Sequence, residues 1–145
     1  MRLPHYVQIT DKTKYGDSKL FRIRLNPKYK DDKGLMLHEY THVKQFYAGL
    51  CLGLVVALIV YLTSNRLDYT FYSLCIAPFW KGMAYKFFAP FRLLFEVQAF
   101  AKQISIEAAE HHEHYIKSFA KSLSKNYNLS ISEEKASQKL RSRLK

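Results

Sequence analysis

Seventeen consecutive residues without a charge, Phe46 to Leu62, limit what this chain can fold into. As an α-helix they extend about 25 Å, the lower limit for crossing the hydrocarbon layer of a bilayer. A helix apolar on every side must be surrounded by apolar material, and a chain of 145 residues has little protein to supply it. Membrane contact through 46–62 is therefore expected, with the buried helix of a soluble core as the alternative. After the polar break Thr63 to Asp68 the chain turns aromatic again, interrupted by Pro78, Lys81, Lys86 and Pro90. Neither proline nor lysine suits the middle of a spanning helix, so 69–95 reads as a kinked return arm. Residues 46–95 together predict an apolar helical hairpin.

Immediately before the uncharged run stands His38-Glu39-Tyr40-Thr41-His42. On a helix, residues four apart project from one face, so both imidazoles can grip one Zn²⁺ while Glu39 holds its water as general base. Asp31 and Asp32 are candidate N-caps for this helix. Met36, Tyr40, Val43 and Tyr47 form an apolar stripe that leaves the two histidines facing the other way. A catalytic zinc needs a third protein ligand, and Glu96 is the candidate, with the small Ala99 one turn later allowing two helices to approach. About twenty helical residues lead outward from His42 and about twenty-seven return, so the hairpin can close on the site.

The rest of the chain builds around this pair of helices. Tyr6 to Thr10 and Leu20 to Leu25 alternate as strands, with Phe21, Ile23 and Leu25 on one side and Arg22 and Arg24 on the other. The polar stretch Asp11 to Ser18 reads as a turn region, and Asn26-Pro27 ends the second strand. A small antiparallel sheet follows, whose edge can hold an extended peptide or simply cover the helix. From Phe91 to about Lys125 the pattern is one long helix, and Ser130 to Glu133 is a capping box for a last basic helix ending near Arg143. The expected fold class is α+β, mostly α: one domain over 1–125 and a loosely attached basic tail over 126–145.

The net charge of +11 is uneven. Lys and Arg dominate residues 1–45 and 116–145, whereas the apolar middle is balanced, a distribution suited to an anionic membrane surface. Nucleic acid competes as an explanation, but no zinc knuckle, helix-turn-helix or RNA-binding signature accompanies the charge. Cys51 and Cys75 lie in apolar runs and read as small buried hydrophobes. The N-terminal residues lack the apolar core of a signal peptide, which predicts a cytoplasmic side for them. His111, His112 and His114 read as surface histidines too far along the helix to join His42. A di-iron hydroxylase needs about eight histidines, and six are present.

His38 to Gln45 in the form HExxHxxQ, followed by Glu96-Val97-Gln98-Ala99-Phe100, resembles the gluzincin class of zinc metallopeptidases. It is most similar to small predicted peptidases of bacteria and phages, and more distantly to HtpX-like membrane proteases. The resemblance covers about residues 20–105. It implies His38, His42 and Glu96 as zinc ligands, Glu39 as catalytic base and a peptide or protein substrate. It also implies attachment to a bacterial inner membrane or in a phage-infected host, with the active site on the cytoplasmic side. A soluble cytoplasmic enzyme is the alternative location. A non-enzymatic basic membrane or adaptor protein with a degenerate zinc site is the alternative function. HtpX-like enzymes carry Asp where this chain has Phe100, so something else must orient the imidazoles. Tyr40, Tyr72 and Tyr85 are candidates for polarising the substrate carbonyl.

Overall fold

One helix sets the architecture. The computed structural model describes residues 3–144, and in it α1 runs unbroken over Lys33–Ser64. Asp32 caps its start by accepting from the Leu35 N–H at 2.8 Å, and Asn65 closes its end in the left-handed conformation. Before it come β1 (Tyr6–Ile9), β2 (Gly16–Lys19) and β3 (Arg22–Leu25). After it come α2 (Leu67–Ile76), α3 (Trp80–Phe87), α4 (Ala89–Ile104), α5 (His112–Asn126) and α6 (Glu133–Leu144). The fold is α+β and mostly α, as the sequence predicts.

The N-terminal sheet is mixed rather than wholly antiparallel, in the order β1-β3-β2. The stretch expected to be only a turn contains β2, which pairs antiparallel with β3 and takes one of its edges. That leaves β1 the other edge, where it lies parallel to β3. Ile23 and Leu25 are fully covered by Val43 of α1, flanked by Leu35, Met36, Tyr40 and Tyr47. The predicted apolar stripe of α1 thus faces the sheet. Phe21 does not join it: β3 begins at Arg22, and Phe21 sits exposed in the turn after Leu20, whose φ is 57°.

The expected long helix over 91–125 is instead two, α4 and α5, separated by residues 105–111. No glycine or proline marks the break. A straight helix would leave its apolar side uncovered, whereas folding back packs Ile116, Ala120 and Leu123 of α5 on Val97, Phe100 and Ile104 of α4. His112 serves this turn, its Nε2 lying 3.0 Å from the Glu107 carbonyl oxygen, while His111 and His114 are exposed.

The C-terminal segment is no loose tail. Ala136 and Leu140, one turn apart on α6, are completely buried in the α4–α5 core, and Arg141 holds Glu113 of α5 through two bonds of 3.0 and 2.8 Å. The capping residue of α6 is Ser132 rather than Ser130, the first residue of the predicted box, with its Oγ accepting from the Lys135 N–H at 3.3 Å. The basic side chains Lys139, Arg141 and Arg143 remain on the outside.

Beyond Tyr47, α1 leaves this core and pairs with the return arm: α2, the turn Ala77–Phe79 and α3. It is the one helix among the described residues long and apolar enough to cross a membrane. The seam is made of small residues: Gly53, Ala57 and Ala77 are buried there. A Cβ on Gly53 would lie 2.6 Å from both Cα and Cβ of Ala77. Gly53→Val is accordingly expected to open the seam and cost about 1–3 kcal/mol, as overpacking does. Its unfolding midpoint should fall, and a midpoint equal to wild type would contradict the close approach. Cys51 and Cys75 are exposed on the outer surface of this hairpin, not buried as expected.

Candidate metal centre

The half of α1 nearest the core presents His38 and His42 to α4, which presents Glu96 in return. Ala99, fully buried, lets the helices close as its size predicts, and Gly34 admits Gln103 where a Cβ would lie 3.1 Å from the Gln103 Cγ. The two Nε2 atoms are 3.3 Å apart. His38 Nε2 lies 3.6 Å from Glu96 Oε2, and His42 Nε2 lies 3.5 Å from Glu96 Oε1. All three ligating atoms fall within 4.8 Å of one another, and all three residues are buried. Sequence reasoning named this set from residues 54 positions apart (96 − 42), and the fold brings them together.

The chemistry of the group is what a cation requires. Burial, reinforced by His42, lowers the His38 pKa to about 3, so that ring is neutral. For His42 the tautomer follows from its neighbour. The Gln45 Nε2 donates to the Phe95 carbonyl oxygen at 3.0 Å and to Gln98 Oε1 at 3.1 Å, so its Oε1 must be the atom 2.8 Å from His42 Nδ1. His42 Nδ1 is therefore an N–H, which leaves Nε2 as the ring atom facing Glu96. Burial pushes the Glu96 carboxyl up, but the adjacent His42 ring, then His38 and the Tyr85 hydroxyl, outweigh this and hold it below its usual value. Among the described residues Glu96 Oε2 has no hydrogen-bond partner. A buried carboxylate oxygen left without a donor beside two ring nitrogens fits a metal ion, and His38, His42 and Glu96 can hold one.

Two side chains orient the imidazoles. Gln45 fixes His42 by the bond just described, and Phe100 packs edge-on against His38 with ring centroids 4.5 Å apart. Phe100 thus answers by contact the question its identity raised. The sequence signal for Gln45 was the last letter of HExxHxxQ, but its role depends on Phe95 and Gln98 across the helix interface. Gln45→Leu should lower metal affinity about 10–100-fold, the usual cost of losing a hydrogen bond behind a ligating histidine. Competition against a chromophoric chelator measures this, and an unchanged affinity would remove Gln45 from the site.

Glu39 lines the same cavity. It is buried beside Ser18 of β2, and desolvation raises its pKa to about 7. Gly16 makes this approach workable, since a Cβ there would lie 2.9 Å from the Leu25 side chain and 3.3 Å from Glu39 Cγ. The cleft above these residues has a volume of about 920 Å³ and is walled by β2 and the β2–β3 turn, by Phe46, and by Phe79 and Lys81 from the return arm.

Of the three tyrosines considered for a carbonyl-polarising role, only Tyr85 lines the cleft, and its hydroxyl donates to Glu96 Oε1 at 2.7 Å. Tyr40 lies against the sheet, its hydroxyl accepting from the Leu3 N–H at 2.7 Å. Tyr72 is exposed on the hairpin. Tyr127, which sequence reasoning missed, also lines the cleft; burial, then the nearby Glu96 charge, raise its pKa. Arg92 draws both tyrosine-bearing segments together by donating to the carbonyls of Tyr85 at 3.2 Å and Asn128 at 3.1 Å.

No family model, curated protein or solved structure matches the chain.

Proposed function

We propose that the protein is a zinc-dependent peptidase of gluzincin type, held at a membrane through the apolar segment 46–62. The observation that carries the proposal is the buried convergence of His38, His42 and Glu96 beside Glu39 on the floor of an open cleft. Two imidazoles and one carboxylate are a ligand set of hydrolytic zinc sites, and the metal when bound supplies a Lewis acid and a water of lowered pKa. The chain's own residues supply the rest. A carboxyl with a pKa near 7 can take a proton from the attacking water and pass it to the leaving amine at neutral pH, which is the role assigned to Glu39. Tyr85 holds Glu96 in place, and Tyr127 and Lys81 are among the polar side chains lining the cleft that can meet a carbonyl oxygen.

The cleft suits an extended polypeptide. β2 is an edge strand, and its Gly16 to Lys19 backbone runs along the opening, so a substrate strand can pair with it. The test is cleavage of a denatured protein mixture by zinc-loaded protein, read by mass spectrometry of newly formed termini. Cleavage that stops on chelation and returns with zinc supports the reading. Termini identical with and without zinc would end it.

A further inference from the structure

The hairpin beyond the metal site carries more information than its composition. On α1, Leu52, Leu54, Val55, Leu58, Ile59 and Leu62 are all exposed. At 100° per residue these positions sweep the entire half of the helix that faces away from the return arm, with Leu52 and Leu54 about 160° apart. On α2, Leu67, Phe71, Tyr72, Leu74 and Ile76 are likewise exposed on the side away from α1. The two-helix unit is therefore apolar around its whole circumference, and only the narrow Gly53–Ala57–Ala77 seam is covered. A second copy of the chain or a protein partner would cover one side and leave the other in water. A lipid phase covers both.

The ends of the hairpin are finished for that environment. At its tip stand Thr63, Ser64 and Asn65, then Arg66 paired with Asp68 at 2.8 Å, flanked by the exposed aromatics Tyr61 and Tyr69. At its base Trp80 and Tyr85 stand among lysines, with the Lys81 ammonium lying 5.5 Å from the Tyr85 ring centre, turned toward the metal cleft and away from the apolar arms. Aromatics at both ends with cations at the base are the pattern of a segment bounded by two membrane interfaces. The uncharged part of α1 is about 25 Å long and the return arm from Leu67 to Phe79 about 20 Å, against roughly 30 Å of hydrocarbon, a mismatch met by local thinning of the bilayer around the hairpin.

We propose that α1 from Phe46 onward and the return arm through Phe79 insert together into a lipid bilayer as one spanning hairpin. Its tip at Asn65 reaches the far surface, and the metal cleft stays at the near surface. Sidedness follows from charge. Lys33, Lys44, Lys86, Arg92 and Lys102 flank the base, whereas Arg66 alone lies at the tip, so the base faces the cytoplasm. His42 is one helical turn, about 6 Å, from Phe46, which sets the cleft at headgroup level. The inference rests on the membrane attachment proposed above and is independent of the peptidase chemistry.

The native cysteines provide the test, because both are exposed in the protein alone and both fall within the inserted arms. In intact membranes carrying the full chain, a membrane-impermeant maleimide should label neither Cys51 nor Cys75, and should label both after dissolution in SDS. With both cysteines replaced by alanine, Ser64→Cys should label only from the side opposite to that which labels Lys139→Cys. Labelling of Cys51 or Cys75 in intact membranes, or labelling of both introduced cysteines from one side, overturns the hairpin. Release of the chain by carbonate or high salt would instead overturn the attachment itself. Zinc content measured on the same samples reports the metal site separately.

Discussion

Alanine at His42 or at Glu96 is expected to abolish stoichiometric zinc binding. Purified wild type should hold one zinc per chain, and either variant should lose more than the roughly 100-fold in affinity that loss of a supporting hydrogen bond costs. The reason is the composition of the site: two buried ring nitrogens and a carboxylate converge, and among the described residues Glu96 Oε2 has no hydrogen-bond partner. With Glu96 removed, two imidazoles 3.3 Å apart remain, without the carboxylate charge that balances a divalent cation. Stability provides a second readout. A ligand at about 1,000 times its dissociation constant stabilises the folded state by about 4 kcal/mol, so chelation should lower the unfolding midpoint of wild type and leave that of Glu96→Ala unmoved. Full metal content in Glu96→Ala alongside loss in His42→Ala would show that the third ligand is another group.

The parts of the site legible in the sequence were those governed by a period. His38 and His42 share a face because they are four apart, and Val43 with Tyr40 and Tyr47 turns the opposite face to the sheet for the same reason. Glu96 was legible because an apolar hairpin that leaves the core must return to it, and Ala99 marks where the two helices touch. β2 was not legible: Gly16, Asp17, Ser18 and Lys19 have no strand propensity, and the strand exists because β3 offers an unpaired edge. The break between α4 and α5 was hidden because no residue in 105–111 is a helix breaker. It arises from the burial of Ile116, Ala120 and Leu123, a tertiary gain invisible to a local pattern. Tyr127 follows from that break, since the chain brings it to the cleft only once α5 has folded back. Ala136 and Leu140 did stand one turn apart in the sequence, but the surrounding charge concealed a two-residue apolar contact.

Along α1 the burial pattern changes character after Tyr47. Up to that residue the helix is covered on two faces, by β3 on one and α4 on the other. Beyond it only the seam is covered, and glycine and alanine replace bulky residues there because Ala77 and Trp80 of the return arm approach closely. One continuous helix thereby fixes the distance between the metal ligands and the apolar hairpin. No hinge separates them, so movement of the hairpin in its surroundings is transmitted rigidly to His38 and His42.

The second large effect is expected at Glu39. Glu39→Gln preserves volume and leaves the three metal-binding residues untouched, so zinc content should equal that of wild type while peptide cleavage falls by at least about 100-fold, the lower range for loss of general base catalysis. The acid limb of the wild-type activity profile should lie below pH 7. Burial alone places the Glu39 pKa near 7, and a cation beside the carboxylate favours its ionised form. Metal-free protein gives an independent check of the same carboxyl. Its folded-state pKa is raised from 4.5 to about 7, so the folded state binds the proton more tightly than the unfolded one. The resulting stability is full below pH 4.5 and is lost as pH rises through 7. Glutamine has no proton to lose, so the stability of Glu39→Gln relative to wild type should climb across that window. A flat difference would mean that Glu39 is solvated rather than buried. Undiminished cleavage with a climbing difference would leave the burial intact and remove Glu39 from the chemistry.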